Sequence, residues 1–259
     1  MITVSEALEI LGRACAPLPE ESIPLRDAVG RVLSREVVSD VDWPPFDTSA
    51  MDGYAVRMDD VGTPGVTLTE RPGLVAAGDS AGAALRPGEA VRVMTGAPLP
   101  LDTEAVLPVE QVRRENGTVV PSAIPRRGEH VRRRGESVAA GTILLPRGRR
   151  LAPAEVALAA LAGAVPLPVR CRPRISIAVT GNELVPSSET PGPGQLRDSN
   201  GPMLSALCAS HGWPATETPS IADEDEPVRR LFREAGRGED VLITSGGVSA
   251  GDLDLLPDR

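Results

Sequence analysis

The sequence predicts a multidomain chain of α+β and α/β character: a helical region with an inserted small β domain, followed by a parallel α/β domain. Three observations predict it. Apolar residues recur at helical spacing near the amino terminus and again around 153–162. From about 62 to 121, short β-rich runs are punctuated by Gly and Pro. From 175 onward, apolar strands alternate with helical stretches.

Taken in order, Thr3 to Cys15 reads as a helix. Thr3 with Glu6 forms a capping box, and Val4, Ala7, Leu8 and Leu11 make an apolar stripe. After a proline-rich break at 17–24, Leu25 to Glu36 reads as a second amphipathic helix with Leu25, Val29, Val32 and Leu33 on one side, weakened at Gly30. The stretch 41–57, VDWPPFDTSAMDGYAVR, contains Trp43, Phe46 and Tyr54, three of the five aromatics, beside Asp47, Thr48, Ser49 and Asp52. Pro44-Pro45 forbids regular helix there. Such a loop is either a rigidly held site or a hinge pinned by its aromatics.

The runs VTL, GLVAAG, AVRVMTG, AVLPVEQV and GTVV suggest a small barrel or sandwich. Arg126 to Ser137 holds five arginines and reads as either a solvated face or an anion clamp. From 139 the grammar turns helical again, with Pro153 suited to a first helical turn. ISIAVT at 175–180 is a buried strand ending in Gly181-Asn182-Glu183. Ser199 to Pro202 caps a helix, a strand reaches Ile221, and Asp223 to Glu226 opens a further helix with acids at its positive end.

Val241, Leu242 and Ile243 form the next buried strand, followed by Thr244-Ser245-Gly246-Gly247-Val248-Ser249. Two glycines at the carboxyl end of a parallel strand let backbone approach a ligand, and ligands of open parallel sheets bind there. Its amides, with the hydroxyls of Ser245 and Ser249, suit an oxyanion. Glu183, Asp223 and Asp254 also fall at or just beyond strand carboxyl ends. A magnesium ion would reconcile such carboxylates with a phosphate.

Composition narrows the function. With 27 basic against 36 acidic side chains, the net charge is −9, which argues against general nucleic-acid or membrane-surface binding. Three scattered cysteines without zinc spacing, and no signal peptide, fit a reducing cytoplasm. Two histidines make a histidine-rich metal site improbable, and no apolar run is long enough to span a bilayer.

The stretches PPFDTSAMDGYAV, VRVMTGAP, HVRRRGES, TGNEL, RDSN and TSGGVSAGDLD, in this order and spacing, resemble the molybdopterin molybdenumtransferase family of bacterial MoeA and the gephyrin E domain. The resemblance covers the whole chain. It implies a helical dimerisation region at 1–45 and 139–168, an inserted β domain at 46–138, and a molybdopterin-binding α/β domain at 169–259. The implied activity is magnesium-dependent insertion of molybdate into adenylated molybdopterin with release of AMP, by a cytoplasmic homodimer.

Carried over by position, Asp52, Thr95, Glu183 and Asp254 are expected to be catalytic. Ser245, Gly246, Gly247, Val248 and Ser249, with Arg132, Arg133 and Arg134, are expected to bind substrate. Glu183, Asp223 and Asp254 are the expected metal ligands. Ser137 stands where some members carry aspartate. The family extends past Arg259, so the expectation is an incomplete α/β sheet with little transfer activity. The alternative is a scaffolding relative that only dimerises or binds partners.

Overall fold

The computed structural model describes residues 2–63, 65–221 and 224–246. The chain divides into two compact units. One comprises 1–35, 147–157 and 165–259; the other comprises 36–146 and 158–164.

The second unit is built on one mixed sheet of six strands. Their spatial order is Ala105–Pro108, Gly53–Val56, Glu89–Val93, Leu68–Val75, Thr118–Pro121, Val112–Glu115. Only the Leu68–Val75 and Glu89–Val93 pair is parallel. Alternate residues of a strand face opposite ways, and here both faces are covered. Tyr54 and Val56 join Leu68, Leu107 and Val119 in one core, while Ala55 joins Val91, Val93 and Val106 in another. This explains why all four residues of Gly53–Val56 are buried. The expected barrel or sandwich is therefore a single sheet packed on both sides, with two end strands. Asn116 and Gly117, both at positive φ, turn one hairpin of it, as a two-residue loop between twisted strands requires.

In the same unit, Val37–Val38 pairs antiparallel with Ile143–Leu145. The residues after 139 thus form a strand before any helix. Helical structure resumes only at Pro153–Leu161, where Glu155 accepts a hydrogen bond from the Ala152 amide at 3.1 Å and pairs with Arg149.

In the first unit, helix Val4–Ala14 carries the expected capping box: the Thr3 hydroxyl accepts from the Glu6 amide, and the Glu6 carboxylate accepts from the Thr3 amide. None of its residues is buried. The second expected helix does not form. Only Leu25–Asp27 makes a short 3-10 turn. Gly30 then takes a left-handed φ of +81°, and the chain continues extended. Leu33 donates to Arg149 and bridges Val169, which buries its side chain completely. Apolar spacing that fits a helix here serves an extended segment whose partners lie more than a hundred residues away.

The α/β part of this unit is a parallel three-stranded sheet in the order Ala215–Ile221, Ile175–Thr180, Val241–Ser245. Helices Asn200–Ser210 and Asp225–Gly238 alternate with the strands, as expected. Ile175, Ile177, Val179 and Cys208 form its core. Two details differ from expectation. Ser199 makes no capping hydrogen bond; instead the Asp198 carboxylate accepts from the Gly201 amide at 3.0 Å. The Val241–Ser245 strand is an edge among the described residues, and Val241 is exposed rather than buried.

Candidate active site

The residues expected to act fall into two groups, one in each unit, and each group is described by itself. In the sheet unit, Asp52 immediately precedes strand Gly53–Val56, and Thr95 follows strand Glu89–Val93. These strands are antiparallel neighbours, with Gly53 opposite Val93. Adjacent pairing brings residues 43 positions apart into contact. The Thr95 hydroxyl and amide both donate to Asp52 Oδ1, at 2.7 and 2.8 Å. Those two bonds, with the Arg92 guanidinium adding a weaker attraction, hold the Asp52 carboxyl below its ordinary range. The result is a fixed carboxylate anchored at the end of a rigid sheet.

A folded pKa below the unfolded one has a defined consequence for pH. The stabilisation is complete above the ordinary carboxylate range near ~4 and is lost as pH falls through the lowered folded value. Thr95→Val removes the hydroxyl and leaves the amide. It should therefore move the Asp52 pKa part of the way back up, which a carboxyl-carbon NMR titration would read. An unchanged titration would mean that the hydroxyl bond is not formed in solution.

Thr95 also lines a cavity of about 480 Å³ with Trp43, Phe46, Thr48 and Arg132. Two of the three aromatics of the 41–57 stretch, Trp43 and Phe46, thus line the same space as a hydroxyl and a guanidinium, while Tyr54 is buried in the sheet core. Each of the three neighbouring arginines already has an acidic partner. Arg132 Nε donates to Glu136 at 2.8 Å, and its Nη2 donates to the Ser137 hydroxyl at 3.2 Å. Arg133 pairs with Asp47 at 2.5 Å, and Arg134 with Asp42 at 2.6 Å. Arg132 and then the Arg133 amide hold Glu136 below the usual carboxylate range. The Ala140 amide and then Arg134 do the same for Asp42. An anion arriving here has to compete with these carboxylates.

In the α/β unit, Glu183 sits in the turn after strand Ile175–Thr180. Leu184 donates to the Gly181 carbonyl and Leu196 to the Glu183 carbonyl, which closes the turn. A Cβ on Gly181 would lie 2.8 Å from Glu183 Oε2, so the carboxylate folds back over the glycine backbone. The side chain is exposed and has no ion-pair or hydrogen-bond partner among the described residues, which leaves its oxygens available to a hard cation.

Ser245 ends the Val241–Ser245 strand beside Val179, and its hydroxyl accepts from Asn200 Nδ2 at 2.9 Å. Gly246 follows with φ +95°, where an added Cβ would lie 2.3 Å from the Thr180 carbonyl oxygen. The structure therefore gathers Glu183, Ser245 and Gly246 at the carboxyl ends of adjacent parallel strands. Asp223, Gly247, Val248, Ser249 and Asp254 lie outside the described residues. Among the described residues there is no cluster of three potential metal-binding side chains.

Two contributors escape sequence reasoning. Asn200 stands in the RDSN motif, yet its bond to a serine 45 positions away has no local signature. The Thr180 hydroxyl is buried, has no hydrogen-bond partner among the described residues, and lies against Gly246.

Comparison with known proteins covers both units. Residues 2–163 match the MoeA N-terminal region (domain I and II), and residues 176–259 match the probable molybdopterin binding domain. Molybdopterin molybdenumtransferase 2 of Mycobacterium tuberculosis (strain ATCC 25618 / H37Rv) is 40% identical over 254 residues, covering 95% of this chain and 61% of that protein. Molybdopterin molybdenumtransferase of Nostoc sp. (strain PCC 7120) is 38% identical over 91% of this chain and 55% of its own length. Among solved structures, the molybdopterin biosynthesis moeA protein of Pyrococcus horikoshii OT3 superposes with a TM-score of 0.86 at 30% identity, over 95% of this chain and 66% of that one. The chain thus spans less than two thirds of the length of these relatives. No helix among the described residues is long and apolar enough to cross a membrane.

Proposed function

Because the chain belongs to the MoeA family, we propose that it acts in molybdenum cofactor biosynthesis, inserting molybdate into adenylated molybdopterin with release of AMP. The observation that carries this reading is that each unit by itself holds an ordered feature at a position the family resemblance assigns to the reaction: the Asp52 carboxylate fixed by Thr95 in one, and the glycine-bearing strand end at Ser245 and Gly246 in the other.

In this reading the loop Ser245 to Ser249 holds the pterin pyrophosphate through backbone amides and hydroxyls. Asn200 orients the Ser245 hydroxyl for that task. Glu183, with Asp223 and Asp254, would hold Mg²⁺ or its waters; when bound, the ion neutralises charge that develops on the phosphoanhydride oxygens. Asp52 remains ionised and presents its second oxygen towards substrate, because Thr95 occupies Oδ1. Arg132 to Arg134 draw in molybdate, a dianion, by exchanging their carboxylate partners for it. Exposed ion pairs of this kind contribute little net stability, so the exchange costs little. The apolar face of helix Val4–Ala14, with Val4, Leu8 and Leu11 all more than half exposed, supports a homodimer, since a sizeable bare stripe calls for a partner.

The deciding assay is molybdate-dependent AMP release from adenylated molybdopterin. Absence of both AMP release and pterin binding would favour a purely structural role. Within that assay, replacing Arg132, Arg133 and Arg134 together by Gln should raise the molybdate concentration needed for half-maximal rate several-fold, with pterin affinity unchanged. A fall in pterin affinity instead would show that these arginines face the other substrate.

A further inference from the structure

The charge distribution of the first unit has one concentrated feature that lies apart from the residues assigned above. Segments 17–18, 30–33, 147–148 and 170–173, with Trp213, line a cavity of about 410 Å³. This is within the size range of small-molecule sites, roughly 300–1,000 Å³. Its lining is mostly apolar, from Leu18, Val32, Pro173 and the Trp213 indole, yet it also includes four arginines and, among the described residues, no carboxylate. In a chain of net charge −9, this lining carries an excess of positive charge, with Arg31 offset by Glu21 just outside it.

The four arginines are not equivalent. Arg31 is buried, pairs with Glu21 and donates to the Arg170 carbonyl at 2.7 Å. Arg170 donates to the Leu18 carbonyl at 3.0 Å. These two are structural, and they tie the walls together along with Gly148 to Leu33 and Cys171 to Pro19 backbone bonds. Arg147 and Arg172 are exposed, and their side chains have no hydrogen bond or ion pair among the described residues. The Trp213 ring lies beside that of His211, at a centroid distance of 5.6 Å, and Arg150 donates to the His211 carbonyl.

We propose that this cavity binds a small aromatic carboxylate. The apolar lining and the indole would take a flat hydrocarbon body, and the two unpaired guanidiniums its single anionic head. An inorganic oxyanion would leave the apolar lining wet, and a neutral aromatic would leave the guanidiniums unanswered. Charge and lining together select a ligand that carries both features. The site is independent of the proposed molybdenum chemistry, so neither assignment stands or falls with the other.

The test uses 2-naphthoate as probe, with 2-naphthamide as its neutral counterpart and inorganic phosphate as its bodiless one, titrated by calorimetry into the full chain. Expected is saturable one-site binding of 2-naphthoate, at least about tenfold tighter than either control. The same margin should be lost in the double variant Arg147→Gln, Arg172→Gln and retained in Arg35→Gln, which lies outside the cavity. Should the double variant fail to fold, Cys171 supplies a second readout, because it lines the cavity while Cys15 is exposed elsewhere. Naphthoate should slow maleimide labelling of Cys171 and leave Cys15 unaffected, and neither control should do so. No saturable binding, equal binding of naphthoate and naphthamide, or labelling of Cys171 unchanged by naphthoate would each overturn the assignment.

Discussion

Gly53→Ala should destabilise the chain by about 3 kcal/mol or more, the upper range of overpacking costs. A Cβ at this position would lie 2.2 Å from the Leu107 carbonyl oxygen and 2.9 Å from the Leu107 carbonyl carbon and Val106 Cγ1. Two of these atoms are backbone, in the strand that pairs directly with Gly53–Val56. No rotamer change relieves such an overlap, so the ladder itself must part. The strand is buried on both faces and at the centre of two cores, so there is no free side towards which it can shift. The damage extends to the site, because Asp52 is the preceding residue and its carbonyl accepts from the Val109 amide across the same ladder. Denaturant unfolding measures the first effect, and the Asp52 carboxyl titration reads the second. Gly62→Ala is the control, since its nearest neighbour would be 3.9 Å away and its φ is not positive. Equal midpoints for the two variants would sink the steric argument.

Gly246→Val should be nearly as severe, but local to the α/β unit. Its φ of +95° lies outside the range a β-branched residue tolerates, and its Cβ would meet the Thr180 carbonyl oxygen at 2.3 Å. Backbone strain alone costs about 1–3 kcal/mol, and the overlap adds to it. The Val241–Ser245 strand is an edge among the described residues, so it can yield by moving away from Ile175–Thr180. That movement breaks the Asn200–Ser245 bond and misplaces the strand end. Pterin affinity should drop about a hundredfold or more, as expected when a preorganised site is displaced by around an ångström. Asn200→Ala removes one hydrogen bond and should cost only about 1 kcal/mol. Equal pterin affinity in wild type and Gly246→Val would mean that this strand end does not form the binding loop.

The sequence by itself determined the features whose causes are local. Thr3 and Glu6 are three residues apart, and the capping box they predict is present. The Ile175–Thr180 and Val241–Ser245 strands were legible because short, β-branched and mostly apolar stretches closed by glycine leave few alternatives, and the strand–helix alternation implied their parallel pairing. The likeness of the motifs to the MoeA family was legible for the same reason, since each motif is a continuous stretch.

Tertiary structure decided whatever depends on residues distant in the chain. The 25–36 stretch has helical spacing, but Gly30 and the pairing of Leu33 with Arg149 and Val169 draw it into extended structure. The arginines at 132–134 read equally as an anion clamp or a solvated face. Only the fold shows that Asp47 and Asp42, some ninety residues earlier, hold two of them while Glu136 holds the third. The Thr95 bond to Asp52 exists because two strands are antiparallel neighbours. Periodicity records which face of an element is apolar. It carries no information about which other element covers that face, because burial is non-directional and the choice of partner rests on topology.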